Sequence, residues 1–239
     1  IQVLDPAEIA GTLILVPMAN PLAARVHMQS FPYPDRPTQR KINDMNRRWF
    51  DGHGTVNAVD QQVEALKPLV GLADACIDLH CHEYLYSCMA LTDMASPESA
   101  EFALAMGFEV VRSGNGSEGM FGPYVRETLG KIGVTVEMPP LRRVDHAHSA
   151  IGFRGVLNAL KSMGMLEGMP ELPKQTAVFG TGPQKSSGVE AECEGFMSRY
   201  VEGGDHLEAG QLVAEIWGPD DFSVVQSIEA PFDSFVTAI

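Results

Sequence analysis

The 239-residue sequence lacks the features that mark several specialised classes of protein. Its four cysteines, Cys76, Cys81, Cys88 and Cys193, show no C-x-x-C spacing, and four in a chain of this length do not suggest a disulfide scaffold. No apolar run is long enough to span a bilayer, and the first apolar stretch lacks the basic flank of a signal peptide. A reducing cytoplasm, without membrane insertion, is therefore the predicted setting.

Positive charge is also scarce. The chain has 17 Lys and Arg residues against 31 Asp and Glu residues, which gives a formal net charge of -14. No basic stripe interrupts this charge, so nucleic-acid binding without sequence preference has no electrostatic driving force. The composition, 45% hydrophobic and 20% charged, is that of an ordinary globular protein. Small molecules are the expected partners.

Strand and helix patterns alternate along the first two thirds of the chain. A buried strand is predicted over residues 12–18, an amphipathic helix over about 56–72 and a second strand over 76–81, which together make a β-α-β crossover. This alternation predicts an α/β domain with a largely parallel or mixed sheet. The further predicted elements are a helix from Pro97 to about Met106, a strand Phe108–Arg112, a helix near 121–131, a strand Val134–Met138 and a helix over about 149–163.

The pattern changes near residue 164, which suggests a domain boundary. Residues 1–164 are predicted to form the α/β domain, and the proline-containing stretch 165–174 is interpreted as a linker. Residues 175–239 contain short apolar segments such as Leu212–Trp217, separated by Gly, Pro and Asp, with no helical period. A small all-β module is therefore predicted at the end of the chain.

A segment predicted to be extended and polar, Asp44-Met45-Asn46-Arg47, contains a candidate carboxylate clamp. Arginine grips a carboxylate through two charge-assisted hydrogen bonds, and the amide of Asn46 can add a third. Arg40 lies close enough in sequence to reach the same pocket. On its own, however, the tetrapeptide favours a surface loop in which Arg47 and Arg48 are simply solvated.

His80 is a candidate metal ligand, because it stands where a predicted strand meets polar residues. The carboxyl ends of strands in open α/β sheets face the active-site crevice. On an extended strand, Asp78, His80 and His82 project to one face, so the two histidines could bind the same metal ion. Asp78 could then act as a partner of the metal-binding histidines. The competing interpretation is a pair of hydrogen-bonded structural histidines. A second pair, His146 and His148, favours the structural interpretation.

Glu137 is the only charged residue in the run Ile132–Pro139, which is predicted to be a buried strand. A buried carboxylate costs free energy unless it is paired, or else its pKa rises, and both conditions are typical of a general base. A structural salt bridge with Arg142 or Arg143 is the alternative. The segment alone does not decide between them.

Four segments in a fixed order resemble the succinylglutamate desuccinylase/aspartoacylase family, relatives of the zinc carboxypeptidases. They are VPMANPLA at 16–23, NDMNRRWFDG at 43–52, IDLHCH at 77–82 and VTVEMPP at 134–140. The tail is similar to the small β module that ends these proteins, but Asp233-Ser234 stands where a lipoyl carrier would need a lysine.

The resemblance implies a zinc-carboxypeptidase-like mixed sheet flanked by helices, followed by a small barrel-sandwich-like β module. It implies that His80 binds zinc, that Asn46 and Arg47, with Arg40 as a further candidate, bind the substrate's carboxylate, and that Glu137 activates the zinc-bound water. The expected activity is zinc-dependent hydrolysis of the amide in an N-acyl amino acid.

The chain departs from the family pattern at one point. The family's Gly-x-His-Gly-x-Glu motif, which supplies two zinc ligands, is not found in residues 1–12. We expect either that the family's N-terminal portion is missing or that the metal site was lost or rebuilt with His82 and Glu83. Uncovered apolar surface would then favour a homo-oligomer. The alternative function is a noncatalytic, metal-free binding relative that keeps the clamp.

Overall fold

The computed structural model describes residues 4–33, 40–50, 57–82, 87–180 and 188–239. The helices are α1 (Pro21–Arg25), α2 (Arg40–Asn43), α3 (Ala58–Leu72), α4 (Pro97–Ala105), α5 (Phe121–Pro123), which continues as a π-helical turn over Tyr124–Thr128, and α6 (His146–Ser162). Short 3-10 turns lie at Pro6–Glu8 and Met45–Arg47. The strands are β1 (Ala75–Cys81), β2 (Met89–Thr92), β3 (Val110–Ser113), β4 (Ile132–Met138), β5 (Ala177–Phe179), β6 (Phe196–Arg199), β7 (His206–Leu207), β8 (Leu212–Trp217), β9 (Val224–Glu229) and β10 (Ser234–Phe235).

A mixed five-stranded sheet, in the order β1-β4-β2-β3-β5, forms the centre of the α/β part. β1 pairs with β4 in parallel, whereas β2 runs antiparallel to β4 and parallel to β3. Val134 and Val136 of β4 are buried against Phe108, against Phe102 of α4 and against Ala159 of α6. The predicted mixed sheet flanked by helices is confirmed. The strand and helix predictions from residue 56 to 163 agree with β1, β3, β4, α3, α4 and α6 to within about three residues at each end.

The predicted strand over residues 12–18 is wrong, and the β-α-β crossover built on it is wrong with it. This segment belongs to no strand or helix, and Leu15 and Met18 are exposed. Its apolar residues give it strand propensity, but a strand also needs a neighbour to satisfy its backbone groups. In the described part of the chain, β1 is an edge strand that pairs with β4 alone. The helix predicted near 121–131 is shorter, since its last turn ends at Thr128.

Helix α3 begins at a capping box that also anchors the clamp segment. The side chain of Asn57 accepts hydrogen bonds from the backbone of Val59 and Asp60, and Asp60 accepts in return from the Asn57 backbone. Asp60 is fully buried and forms a 2.6 Å ion pair with Arg48. Trp49 packs in the same apolar cluster as α3. These contacts hold residues 44–49 against the start of α3, so Arg48 is not the solvated side chain that the sequence allowed.

Residues 188–239 contain antiparallel β-structure, as predicted, but β5, which lies inside the predicted module 175–239, pairs in parallel with β3 and belongs to the central sheet. β6, β8 and β9 form a three-stranded sheet, and β7 pairs with β10. The stretch interpreted as a linker is tied to α6, because the Asn158 side chain exchanges two 2.9 Å hydrogen bonds with the Glu171 backbone. Ser87 donates a 3.2 Å backbone hydrogen bond to Thr237, which joins the two parts. Of the helices in the described ranges, none has the length and apolar character needed to cross a membrane.

Candidate functional site

Two neighbouring strands bring His80 and Glu137 together at their carboxyl ends. β1 and β4 are parallel, and their register places His80 directly beside Glu137. Asp78 lies two residues before His80, so both side chains project from the same face of β1. The His80 Nε2 atom is 2.7 Å from Asp78 Oδ2, and Nδ1 is 3.4 Å from Glu137 Oε1. The imidazole is therefore held between two carboxylates.

The two carboxylates determine the protonation of His80. Burial acts to lower the pKa of His80, but the charge and hydrogen bond of Asp78, followed by those of Glu137, outweigh burial and raise the pKa to about 11. This pairing favours the imidazolium form of the ring, with Nε2 bonded to Asp78 and Nδ1 in an ion pair with Glu137. The charged partner of Glu137 is thus His80, and not Arg142 or Arg143 as the sequence also allowed.

One oxygen of Glu137 has no partner. The side chain of Glu137 is 13% exposed, and its Oε2 atom is buried without a hydrogen bond in the described residues. A buried carboxylate oxygen left unpaired costs free energy, so such an atom points to a missing water or ligand. Glu137 therefore has the unused acceptor that a general base requires.

A cleft of about 260 Å³ opens beside this cluster. Its walls come from the end of β1, the end of β4 and the start of α6. His148 lies in its wall and is 3.0 Å from Asp145, the residue that caps α6. Residues in the wall include Leu79, His80, Met138, Pro139, Arg143, Asp145 and His148.

His148 and Arg143 were not among the site residues predicted from the sequence. The His146/His148 pair was interpreted as structural, and the bond to Asp145 agrees with a structural role for His148. The signal that could have placed His148 in the cleft is the Asp-x-x-His spacing, which predicts a capped helix start close after β4. That spacing predicts where α6 begins, but it does not show that His148 lines the cleft.

The clamp residues lie on a 3-10 turn, and not in the extended segment predicted from the sequence. Asp44 caps this turn by accepting a 2.9 Å hydrogen bond from the Asn46 backbone. The Asn46 Oδ1 atom accepts a 2.7 Å bond from the Phe121 backbone, and Arg47 Nη1 donates to the Asn46 carbonyl at 2.5 Å. These contacts fix Asn46 at the start of α5 and do not join the clamp to His80 or Glu137.

Two further sequence predictions cannot be placed. Arg40 begins α2, but its side chain lies outside the described residues, as does Glu83. β1 ends at Cys81, one residue before His82, whose backbone donates a 3.0 Å bond to the Met138 carbonyl.

The described residues do not make up a zinc site by themselves. Structural and catalytic zinc sites use three or four protein ligands. Within the described ranges, no group of three His, Cys, Asp or Glu side chains could hold a metal ion. His80 also gives both ring nitrogens to carboxylates, so it would have to lose a proton before binding a metal.

Comparisons with known proteins agree with this architecture. Residues 1–163 match the model of the succinylglutamate desuccinylase/aspartoacylase catalytic domain. The chain is 25% identical over 222 residues to the N-alpha-acetyl-L-2,4-diaminobutyric acid deacetylase of Halomonas elongata. That match covers 88% of this chain and 62% of the relative, so the chain spans less than two thirds of the relative's length.

Solved structures show the same fold. The product-bound ectoine utilization protein EutE (DoeB) from Ruegeria pomeroyi superposes with a TM-score of 0.73 at 22% identity, covering 99% of this chain and 72% of that one. A succinylglutamate desuccinylase/aspartoacylase from Rhodobacter sphaeroides gives a TM-score of 0.72 at 23% identity over the same shares. These likenesses show the fold, and the match of residues 1–163, more than half of the chain, to the family model shows that the chain belongs to the succinylglutamate desuccinylase/aspartoacylase family.

Proposed function

We propose that this chain is a deacylase that hydrolyses the amide of an N-acyl amino acid. The observation that carries the proposal is Glu137, a largely buried carboxylate at the end of β4 with one unpaired oxygen beside an open cleft. Membership of a deacylase family supports it, as does the name of the Halomonas relative, a deacetylase of N-alpha-acetyl-L-2,4-diaminobutyric acid.

Glu137 would move the proton in this reaction. Amide hydrolysis requires that a water loses a proton as it attacks the acyl carbon and that the leaving nitrogen gains one. A single carboxylate can accept the first proton and deliver the second. His80 donates to Oε1 of Glu137 and leaves Oε2 to take part in the transfer.

Asn46 and Arg47 would bind the carboxylate of the substrate. Because the Asn46 oxygen already accepts from Phe121, its NH2 group keeps its donors for a ligand. Arg47 uses Nη1 to reach the Asn46 carbonyl, while the guanidinium has five N–H donors in all. Arg40 is proposed as a second arginine of this clamp.

Zinc dependence is proposed with one ligand, His80, and needs further ligands that the described residues do not supply. Zinc per chain after a chelator wash, measured by elemental analysis, tests this directly. Stoichiometric zinc would show that other groups complete the site. Chains without zinc would favour the second candidate function, a noncatalytic relative that binds carboxylates through Asn46 and Arg47.

A cytoplasmic setting is part of the proposal. All four cysteines are free in the structure, which suits a reducing cytoplasm. A homo-oligomer is proposed from the exposed apolar surface, and small N-acyl amino acids are the proposed partners.

Hydrolysis of N-acetyl and N-succinyl amino acids by E137Q and by the unmodified chain tests the deacylase proposal. We expect E137Q to lower kcat/KM by about 10²- to 10⁴-fold, because the amide cannot accept the proton. Glu101→Gln is the matched control, since Glu101 is an exposed residue of α4. Equal rates for E137Q and the unmodified chain would contradict the role of Glu137. Binding without hydrolysis, lost in R47A, would favour the noncatalytic function.

A further inference from the structure

The β-module carries an apolar patch, which we call the aromatic patch, in which Phe196, Phe222 and Val224 are exposed and Trp217 is half-buried. The rings of Phe196 and Phe222 stack with centroids 5.8 Å apart and planes 14° apart. These two residues are 59% and 62% exposed. Trp217 of β8 lies between Phe196 and Val224 in the strand register, so the three share one face of the sheet. Large exposed apolar groups in contact with each other mark a binding surface more often than isolated ones do.

The backbone at Phe222 supports this interpretation. Phe222 has a φ of 54°, in the left-handed region that bulky residues rarely adopt. This conformation costs free energy, and such strain clusters at binding and switch sites. Here it holds the ring against Phe196 and outside the core.

Acidic residues surround the aromatic patch. Glu192 and Glu194 precede Phe196 in sequence, Asp220 and Asp221 precede Phe222, and all four acids are exposed. From residue 181 onwards, eleven acidic residues face only Lys185 and Arg199. A partner that fits this surface must be apolar at the centre and basic at the rim.

The same chain contains a surface of that kind in the loop between β4 and α6. Arg142 and Arg143 are exposed, and Val144, directly after them, is 83% exposed. His146 follows at the start of α6 and is also exposed. We call residues 142–146 the basic loop. Arg143 is part of the wall of the 260 Å³ cleft beside His80.

We propose that the aromatic patch of one copy docks on the basic loop of a second copy. Val144 meets the Phe196/Phe222 pair, and Arg142 and Arg143 meet the surrounding acids. The net charge of -14 on each copy opposes approach, so the association depends on these local opposite charges and is reversible. The docked module lies at the mouth of the cleft, because Arg143 belongs both to the basic loop and to the wall of the cleft.

Sedimentation velocity of the full chain over a concentration series tests the contact. We expect a reversible oligomer whose Kd rises about ten-fold or more in R142E/R143E, and likewise in D220K/D221K, because each places like charges together. Combining the two pairs of reversals in one chain should restore association. The matched controls carry equal charge changes at exposed sites elsewhere, R25E/K41E and E98K/E101K, and should associate like the unmodified chain.

A chain that stays monomeric at every concentration would overturn the proposal. The aromatic patch would then bind a basic segment of another protein. An oligomer that neither reversal weakens, or that the combined reversals fail to restore, would overturn it as well. Circular dichroism identifies any variant that fails to fold. F222S removes the centre of the patch without a charge change and should weaken association independently. All these measurements are independent of deacylase activity.

Discussion

At the scale of single residues, the pairing of His80 and Glu137 depends on strand register. The two residues are 57 positions apart in number, yet the parallel β1/β4 pairing sets them side by side. A shift of one residue in that pairing would turn one of the two side chains to the other face of the sheet. The proposed chemistry of Glu137 therefore depends on the pairing of two whole strands as well as on its own side chain.

The four thiols differ in their surroundings, which predicts their reactivity. Burial raises the pKa of Cys76 to about 11 and that of Cys88 to about 12, despite the opposing charges of Lys131 and Arg154. At pH 8 only about one in a thousand of these thiols, or fewer, is a thiolate, the reactive form. Cys81 and Cys193 are exposed. We expect a thiol reagent to modify Cys81 and Cys193 rapidly at pH 8 in the native protein and to modify Cys76 and Cys88 far more slowly.

Peptide mass spectrometry after brief labelling assigns each modified cysteine. The same reaction in denaturant is the control, since unfolding should make all four thiols react at similar rates. Rapid labelling of Cys88 in the folded chain would show that its half-buried position does not suppress the thiolate, contrary to this prediction.

At the scale of elements, Gly119 ties the loop 114–119, whose sequence GNGSEG matches G-x-G-x-x-G, to the clamp segment. Trp49 donates a 2.9 Å backbone bond to the Gly119 carbonyl. A Cβ atom on Gly119 would lie 2.4 Å from the Arg47 carbonyl oxygen, and Gly119 has a φ of +82°. The G-x-G-x-x-G match at 114–119 therefore has a packing explanation in its last glycine. The loop holds Arg47 in place through backbone contact.

We expect Gly119→Ala to displace Arg47 and to weaken carboxylate binding. Gly130→Ala is the matched control, because Gly130 also has a positive φ, +64°, but has no atom within 4 Å of the new Cβ. Both variants should lose about 1 kcal/mol or more of folding stability from backbone strain. Only Gly119→Ala should also raise the Kd for an N-acyl amino acid, measured by calorimetry. An equal Kd in the two variants would argue against a link between this loop and the clamp.

The elements also show which structure a sequence can predict. Helix α3 begins at a capping box, and β4 is an apolar run rich in β-branched residues. Both are strong local signals, and the predicted bounds of both elements lie close to the observed ones. The sequence predicts the two strands that carry His80 and Glu137, but the parallel pairing that sets these residues side by side is non-local and does not follow from either segment. The segment 12–18 has the same apolar signal, but its outcome depends on whether a neighbouring strand is present, and local sequence carries no such information. The tie between Asn46 and Phe121 is equally non-local, and no spacing rule predicts it.

At the scale of the whole molecule, the edge strand β1, on its open side, and the apolar segment 13–16 both lack a neighbouring strand that they could pair with in the described residues. β1 has a partner on one side only in the described residues, and Ile14, Leu15 and Val16 are exposed and outside any strand. An open sheet edge and exposed apolar residues each favour association or strand addition.

Hydrogen exchange measured by mass spectrometry shows whether residues 13–16 are unpaired or form a strand. Amides without a stable hydrogen-bond partner exchange fast, whereas those of buried strands exchange only when the structure opens. We therefore expect the amides of residues 13–16 to exchange at least about a hundred-fold faster than those of Val134 and Val136 in β4, which are buried in the core. Denatured protein gives the reference rates for both peptides. Equal protection of the two segments would mean that residues 13–16 form a strand in solution. Protection of 13–16 that grows with protein concentration would instead show that a second copy supplies the missing neighbour.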